Sequence, residues 1–228
     1  MFWLWNNFDL VWGLTLDHAR LSVIPIIVGF MACVPLGWLA NRHAWLRTVL
    51  ISVGGILFTI PSLALFVALP AIIGTRILDD ANVVVALSIY SIAIMVRTAT
   101  EAFASVPPDV TDSAIAVGFA PFSRFASVEL PLAGPVLLAG LRVVSVTTVS
   151  LVSVGALIGV ANLGFLFTNG YYRDFPEEIL IGIVFTMLVA LLFDLILVQL
   201  GRILMPWNSR DDGRRAQSLL RLSARTVS

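Results

Sequence analysis

Few side chains in this 228-residue chain are placed to do covalent chemistry. It contains no lysine, which excludes a phosphate loop of the G-x-x-x-x-G-K-[ST] type, because that loop needs its lysine to reach the phosphates. His18 and His43 stand at opposite ends of one apolar run, without an H-x-x-x-H pair or a Cys/His cluster, so no metal site or catalytic constellation is expected. The single cysteine, Cys33, also lies in an apolar run. It can form neither an internal disulfide nor a multi-thiolate site and reads as a small buried hydrophobe. Nothing calls for a cofactor. Two charges do stand out: Arg142 and Asp194 fall inside apolar runs, where ionisable groups are costly and normally face protein or a water-filled path. At the helical rise Arg142 is about 16 Å from Pro131, and Asp194 is about 12 Å from Arg202. Those depths are comparable, so the two are expected to pair and hold their helices together.

The elements that must carry these residues are membrane spans. With 59% hydrophobic residues, 12% charged and a mean hydropathy of +0.97, the chain is too apolar for a soluble domain of its length. Net charge is zero, so nothing points to nucleic acid. Taking about 20 apolar residues per crossing, the expected architecture is all-α and polytopic, with spans at 21–40, 46–69, 81–96, 131–154 and 179–200. The third is short and either tilts little or continues past Arg97. Pro25, Pro35 and Pro61 mark bends that spanning helices tolerate when neighbours satisfy the freed carbonyls. Met1 to Asp17 lacks a basic n-region and a small-residue cleavage site, so the first span itself is expected to direct insertion. The arginines favour one topology. Arg42, Arg47, Arg97, Arg124, Arg202 and the five of the tail share one side, against Arg20, Arg76 and Arg173 on the other. That arrangement puts the N-terminus outside and the C-terminus inside. Residues 1–20 then form an external interfacial segment rich in Trp and Phe, residues 21–207 the membrane domain, and residues 208–228 an Arg-rich tail that reads as disordered, with 216–222 able to form a turn or two on anionic lipid.

Between the third and fourth spans, at 97–131, lies a mildly polar loop on the inner side. Pro107 and Pro108 precede a helix expected from Asp109 to Val117, with an early acid suited to the helix dipole. Gly118 ends it, since glycine accepts the left-handed conformation past a helix terminus. A second short helix is expected from Pro121 to Glu129, and Pro131 restarts the chain as the fourth span. The product is a rigid helix–glycine–helix elbow. This segment resembles the EAA signature of ABC importer permeases, Glu-Ala-Ala, three residues, Gly, nine residues, Ile-x-Leu-Pro. Asp112, Ser113 and Ala114 stand for its first three letters, Gly118 for the glycine, and Val128, Leu130 and Pro131 for its end. Asp for Glu, Ser for Ala and Val for Ile are conservative departures. A competing register at Glu101-Ala102-Phe103 fails, because no glycine follows until Gly118. Glu101 instead forms a helix-face pair with Arg97, worth a few tenths of a kcal/mol.

The resemblance extends from about Thr15 to Trp207. The stretches 60–74, 128–142 (VELPLAGPVLLAGLR) and 156–170 (ALIGVANLGFLFTNG) look like the glycine betaine/carnitine/choline class of permease. It implies a bacterial or archaeal plasma membrane, a separate ATPase subunit docked on the elbow, a second permease chain and an extracytoplasmic substrate-binding protein. A methionine or other small-solute permease of the same architecture is the alternative, and an ATP-independent channel or scaffold is the alternative of another class. Ser145, Thr147, Thr148, Ser150 and Ser153 scatter around the fourth span, so they read as packing residues, as does the Gly155/Gly159 pair. Ser88 and Ser91 share one face of the third span. The outer loop 157–178, with three glycines and paired tyrosines, can turn sharply and dip back toward the membrane.

Overall fold

The computed structural model describes residues 2–76 and 78–207, and the Arg-rich tail at 208–228 lies outside the described residues. Among the described residues every regular element is helical. In chain order these are α1 (Phe2–Asn6), α2 (Phe8–Arg42), α3 (Ala44–Thr59), α4 (Ser62–Ile73), α5 (Asp80–Ala104), α6 (Pro108–Ala116), α7 (Pro121–Arg124), a π-helical turn (Phe125–Glu129), α8 (Leu130–Val152), a 3₁₀ turn (Ser153–Ile158), α9 (Gly164–Tyr172) and α10 (Pro176–Leu204). Among the described residues four helical stretches are long and apolar enough to cross a membrane, five when the bent pair α3 and α4 is taken as one span. The expected count holds.

The spans differ from the expected ones in two places, and the third span takes one of its two expected forms. The first does not begin at Leu21: α2 is continuous from Phe8. The Trp- and Phe-rich start reads as interfacial, yet Val11, Leu14 and His18 share one helix face and are buried against α8, α9 and α10. The second span is broken rather than straight, α3 and α4 meeting at 100°. Pro61 lacks an N–H and holds Ile60 out of the helical region (φ −66°, ψ 127°). The Ile60 carbonyl freed by the break accepts the Tyr90 hydroxyl from α5, as an apolar surrounding demands. The third span runs on past Arg97 to Ala104, started by Asp79, whose carboxylate accepts the Ala81 N–H at 2.9 Å.

α5 is the centre of the bundle, packed by α2, α3, α4 and α8. Its closest neighbour is α2, and the reason is a stripe of small residues at four-residue spacing, Gly29, Cys33 and Gly37, a full helical face. A methyl group built on Gly29 would lie 2.7 Å from Ser91 Cβ, and one on Gly37 would lie 2.6 Å from the Ala99 carbonyl carbon. Cys33 is buried between them, its thiol on the Ile92 carbonyl at 3.4 Å. The Gly155/Gly159 pair is closely packed, Gly155 against Val83 and Gly159 against Leu78, but not as a motif within one α-helix. It falls in the 3₁₀ turn, where Gly159 takes φ +86° and ends the element.

His18 ties α2 to the far end of the bundle. Its Nδ1 accepts the Leu163 N–H at 3.3 Å, so Nε2 carries the proton and donates to the Val149 carbonyl at 2.9 Å. The segment between α8 and α10 is also well packed. α9 lies against α10 and the 3₁₀ turn. Asn162 Oδ1, just ahead of α9, accepts the Gly164 N–H at 2.7 Å, and buried Glu178 accepts Asn169 Nδ2 at 2.7 Å with Arg173 3.5 Å away.

Candidate functional site: the elbow and its hinge

The elbow between α5 and α8 begins with α6. Pro107 and Pro108 set its first turn and Asp109 sits beside its N-terminal amides. Its end is a Schellman motif: the Gly118 N–H bonds the Ile115 carbonyl at 2.9 Å and the Phe119 N–H bonds the Ala114 carbonyl at 3.0 Å. Gly118 takes φ +93°, the left-handed conformation the motif requires. Asp112 and Ser113 are exposed, Ser113 Oγ donating back to the Asp109 carbonyl at 2.7 Å, while Ala114 is buried beneath them. Around Gly118 a set of apolar side chains faces outward: Ile115, Phe119, Val117 at 78% exposure and Phe122 at 74%. Exposed apolar patches of this kind are where partners commonly bind.

Val128, Leu130 and Pro131 belong to a different part of the molecule. Pro131 does not restart the chain. The helix is unbroken from Pro121 through α8, because the π turn before Pro131 widens the backbone, with the Leu130 N–H reaching the Phe125 carbonyl five residues back. A proline ring clashes with the carbonyl four residues before it in an ordinary α-helix. The widened turn displaces that carbonyl, so the proline is accommodated, and π turns of this kind recur at functional sites. Leu130 and Pro131 face an apolar groove of about 750 Å³ between α2, α8 and α10.

One group at this hinge was hidden from sequence reasoning. Glu129 occupies the variable position of the Val-x-Leu-Pro end and is 7% exposed. Arg124 Nε donates to it at 2.7 Å, Trp38 Nε1–H donates to its other oxygen, and Arg42 reaches within 3.7 Å while stacking on Trp38 at 4.0 Å. The only available signal was an Arg five residues before a Glu, a weak one.

Arg142 and Asp194 meet on the side of α8 and α10. Nε and Nη2 of the arginine donate to the two carboxylate oxygens at 2.6 and 2.8 Å, a bidentate pair, with side-chain exposures of 44% and 24%. Removing one member strands the other at membrane depth. Asp194→Leu is expected to lower the stability of the folded chain by about 2–3 kcal/mol, while Arg142→Leu with Asp194→Leu recovers most of it. Thermal unfolding in detergent reads both, and a double variant no better than the single would contradict the pairing. Among the hydroxyl residues of α8, Ser145 and Thr148 are buried and Thr148 meets Ser91 of α5 at 3.1 Å, whereas Ser150 is exposed. They line no common stripe.

A bundle of about five spans interrupted by a capped, outward-facing elbow is the architecture of a transport permease. Residues 33–209 match the family of binding-protein-dependent transport system inner membrane components. The chain is 31% identical to the osmoprotectant import permease protein OsmW of Salmonella typhimurium, over 88% of this chain and 94% of that one. It is 30% identical to the glycine betaine/carnitine/choline transport system permease protein OpuCD of Bacillus subtilis, over 83% and 82%. Among solved structures it superposes on the inward-facing MetNI methionine ABC transporter with a TM-score of 0.72 at 19% identity, covering 85% of this chain and 97% of that one. An amino acid ABC transporter with histidines gives 0.70 at 17% identity, covering 87% and 96%. The chain therefore belongs to the binding-protein-dependent transport system inner membrane components. It is a multi-pass permease subunit of an ABC importer and not an enzyme, and the family works with a separate ATPase and a substrate-binding protein.

Proposed function

We propose that this chain is the permease of an osmoprotectant importer, carrying small quaternary ammonium solutes such as glycine betaine, carnitine or choline. The similarity to OsmW and OpuCD over most of both chains supports the solute class. The single observation that carries the mechanism is the capped elbow at Gly118 with its exposed Ile115, Val117 and Phe122. With this face in the cytoplasm, N-terminus outside and C-terminus inside as the arginines favour, the elbow docks on the ATPase. Asp112, Ser113, Ala114 and Gly118 form the docking arm, and Val128, Leu130 and Pro131 form the hinge through which its movement enters α8. The broad apolar surfaces of α3, α4 and α10 are divided between lipid and a second permease chain, which completes the translocation path. The binding protein supplies the aromatic contacts that select the cation.

Reconstitution of the permease with its ATPase and binding protein tests this. ATP-dependent uptake of labelled glycine betaine, choline or carnitine is expected, with methionine excluded. Uptake of methionine alone would overturn the solute class, and flux without nucleotide would make the chain a channel. The docking surface has its own test: Val117→Asp places a charge in an apolar contact and is expected to weaken ATPase binding about tenfold, ~1.4 kcal/mol. Unchanged co-purification would remove Val117 from the interface.

A further inference from the structure

The elbow is joined covalently to α8, but the side chains of its hinge point to a different helix. Glu129 draws in Arg124 from its own segment and Trp38 and Arg42 from the last turns of α2. Trp38 packs on Phe125 with ring centroids 4.9 Å apart, and Phe125 packs on Phe103 of α5 at 5.9 Å. Asn41 of α2 closes the set by donating to the Phe103 carbonyl at 3.2 Å. A carboxylate this enclosed is expensive unless its partners stay in place. The cluster therefore penalises any separation of the π turn from the end of α2. By contrast, α6 touches little beyond α7 and the π turn, which leaves the docking arm free to be pushed.

We propose that Glu129 is a positioning residue that latches the hinge to the first span, so that α2 and the α7 segment move as one body when the elbow is displaced. This deepens the permease reading and rests on it. The small-residue stripe then passes the same movement from α2 to α5, the centre of the bundle. Glu129 matters through its charge and its two arginines, and Gln, of nearly the same shape, cannot replace it.

The experiment uses the assembled importer with spin labels at Leu39→Cys on α2 and Ser123→Cys on α7, both exposed positions, in a Cys33→Ala background. Inter-label distance is measured without nucleotide and with ATP trapped by a hydrolysis-deficient ATPase. In the otherwise native chain the distance should be the same in both states. With Glu129→Gln it should shift by about 5 Å, one helical turn, and uptake should fall about tenfold while ATPase binding is kept. Arg124→Gln gives the same readout from the other partner if the first variant does not fold. A shift in the otherwise native chain, or none in the variants, would overturn the latch alone, provided ATPase co-purifies. Failure to recover ATPase at all would overturn the permease reading and the latch with it.

Discussion

Gly118→Pro is expected to abolish uptake, a loss of about 100-fold or more, while the protein still reaches the membrane and keeps its spans. Proline fixes φ near −65°, whereas Gly118 sits at +93° and donates its N–H to Ile115. The substitution removes that bond and cannot adopt the turn, a cost of about 3 kcal/mol or more. All of it falls on an elbow outside the spans, so the damage is to docking and not to insertion. Graded substitutions separate conformation from bulk, since nothing lies within 4 Å of a methyl group built at this position. Gly118→Ala meets only the left-handed penalty, about 1–2 kcal/mol, and should retain partial uptake. Gly118→Asn tolerates that conformation and should transport nearly normally. Uptake and ATPase co-purification are measured side by side, and full uptake by the proline variant would refute the elbow assignment.

Gly37→Leu should be strongly damaging where α2 packs on α5. Its Cβ would meet the carbonyl carbon, Cβ and carbonyl oxygen of Ala99 at 2.6 to 2.9 Å, and backbone atoms cannot swing aside as a side-chain end can. Overpacking of this kind costs about 3 kcal/mol or more, enough to push α2 off α5 and leave little folded protein. Gly55→Leu is the control, because its side chain would enter open space on α3. Thermal unfolding in detergent should show a large loss for the first and almost none for the second. Equal behaviour would mean that the contact between α2 and α5 does not depend on the small stripe.

Much of the architecture was legible because long apolar runs in lipid have few alternatives to helix. The elbow helix was placed to within a residue, since Pro107, Pro108 and Gly118 each have one conformational use there. Pro61 announced a bend, though not its size. That depended on Tyr90, 30 residues away in sequence, arriving to satisfy Ile60. The true start of α2 was obscured because a Trp- and Phe-rich stretch suits an interface as well as a helix, and nothing in the sequence shows that backbone groups from α8 and the loop before α9 satisfy His18. Pro131 misled for a related reason: a proline read alone breaks a helix, but a π turn ahead of it removes the clash. Glu129 was hidden because two of its three partners come from α2, 91 residues earlier in the case of Trp38. Arg142 and Asp194, which the structure brings together, differ from it in one respect: each was conspicuous against an apolar run.

The most direct test of the account is purification of the tagged chain in mild detergent from its native cells, with mass spectrometry of what accompanies it. A P-loop ATPase should be recovered with the unaltered chain and lost with Gly118→Pro, while the amount of membrane-inserted permease stays the same. Recovery of no ATPase under conditions that preserve other membrane complexes, or equal recovery with the proline variant, would contradict an elbow that couples this permease to ATP.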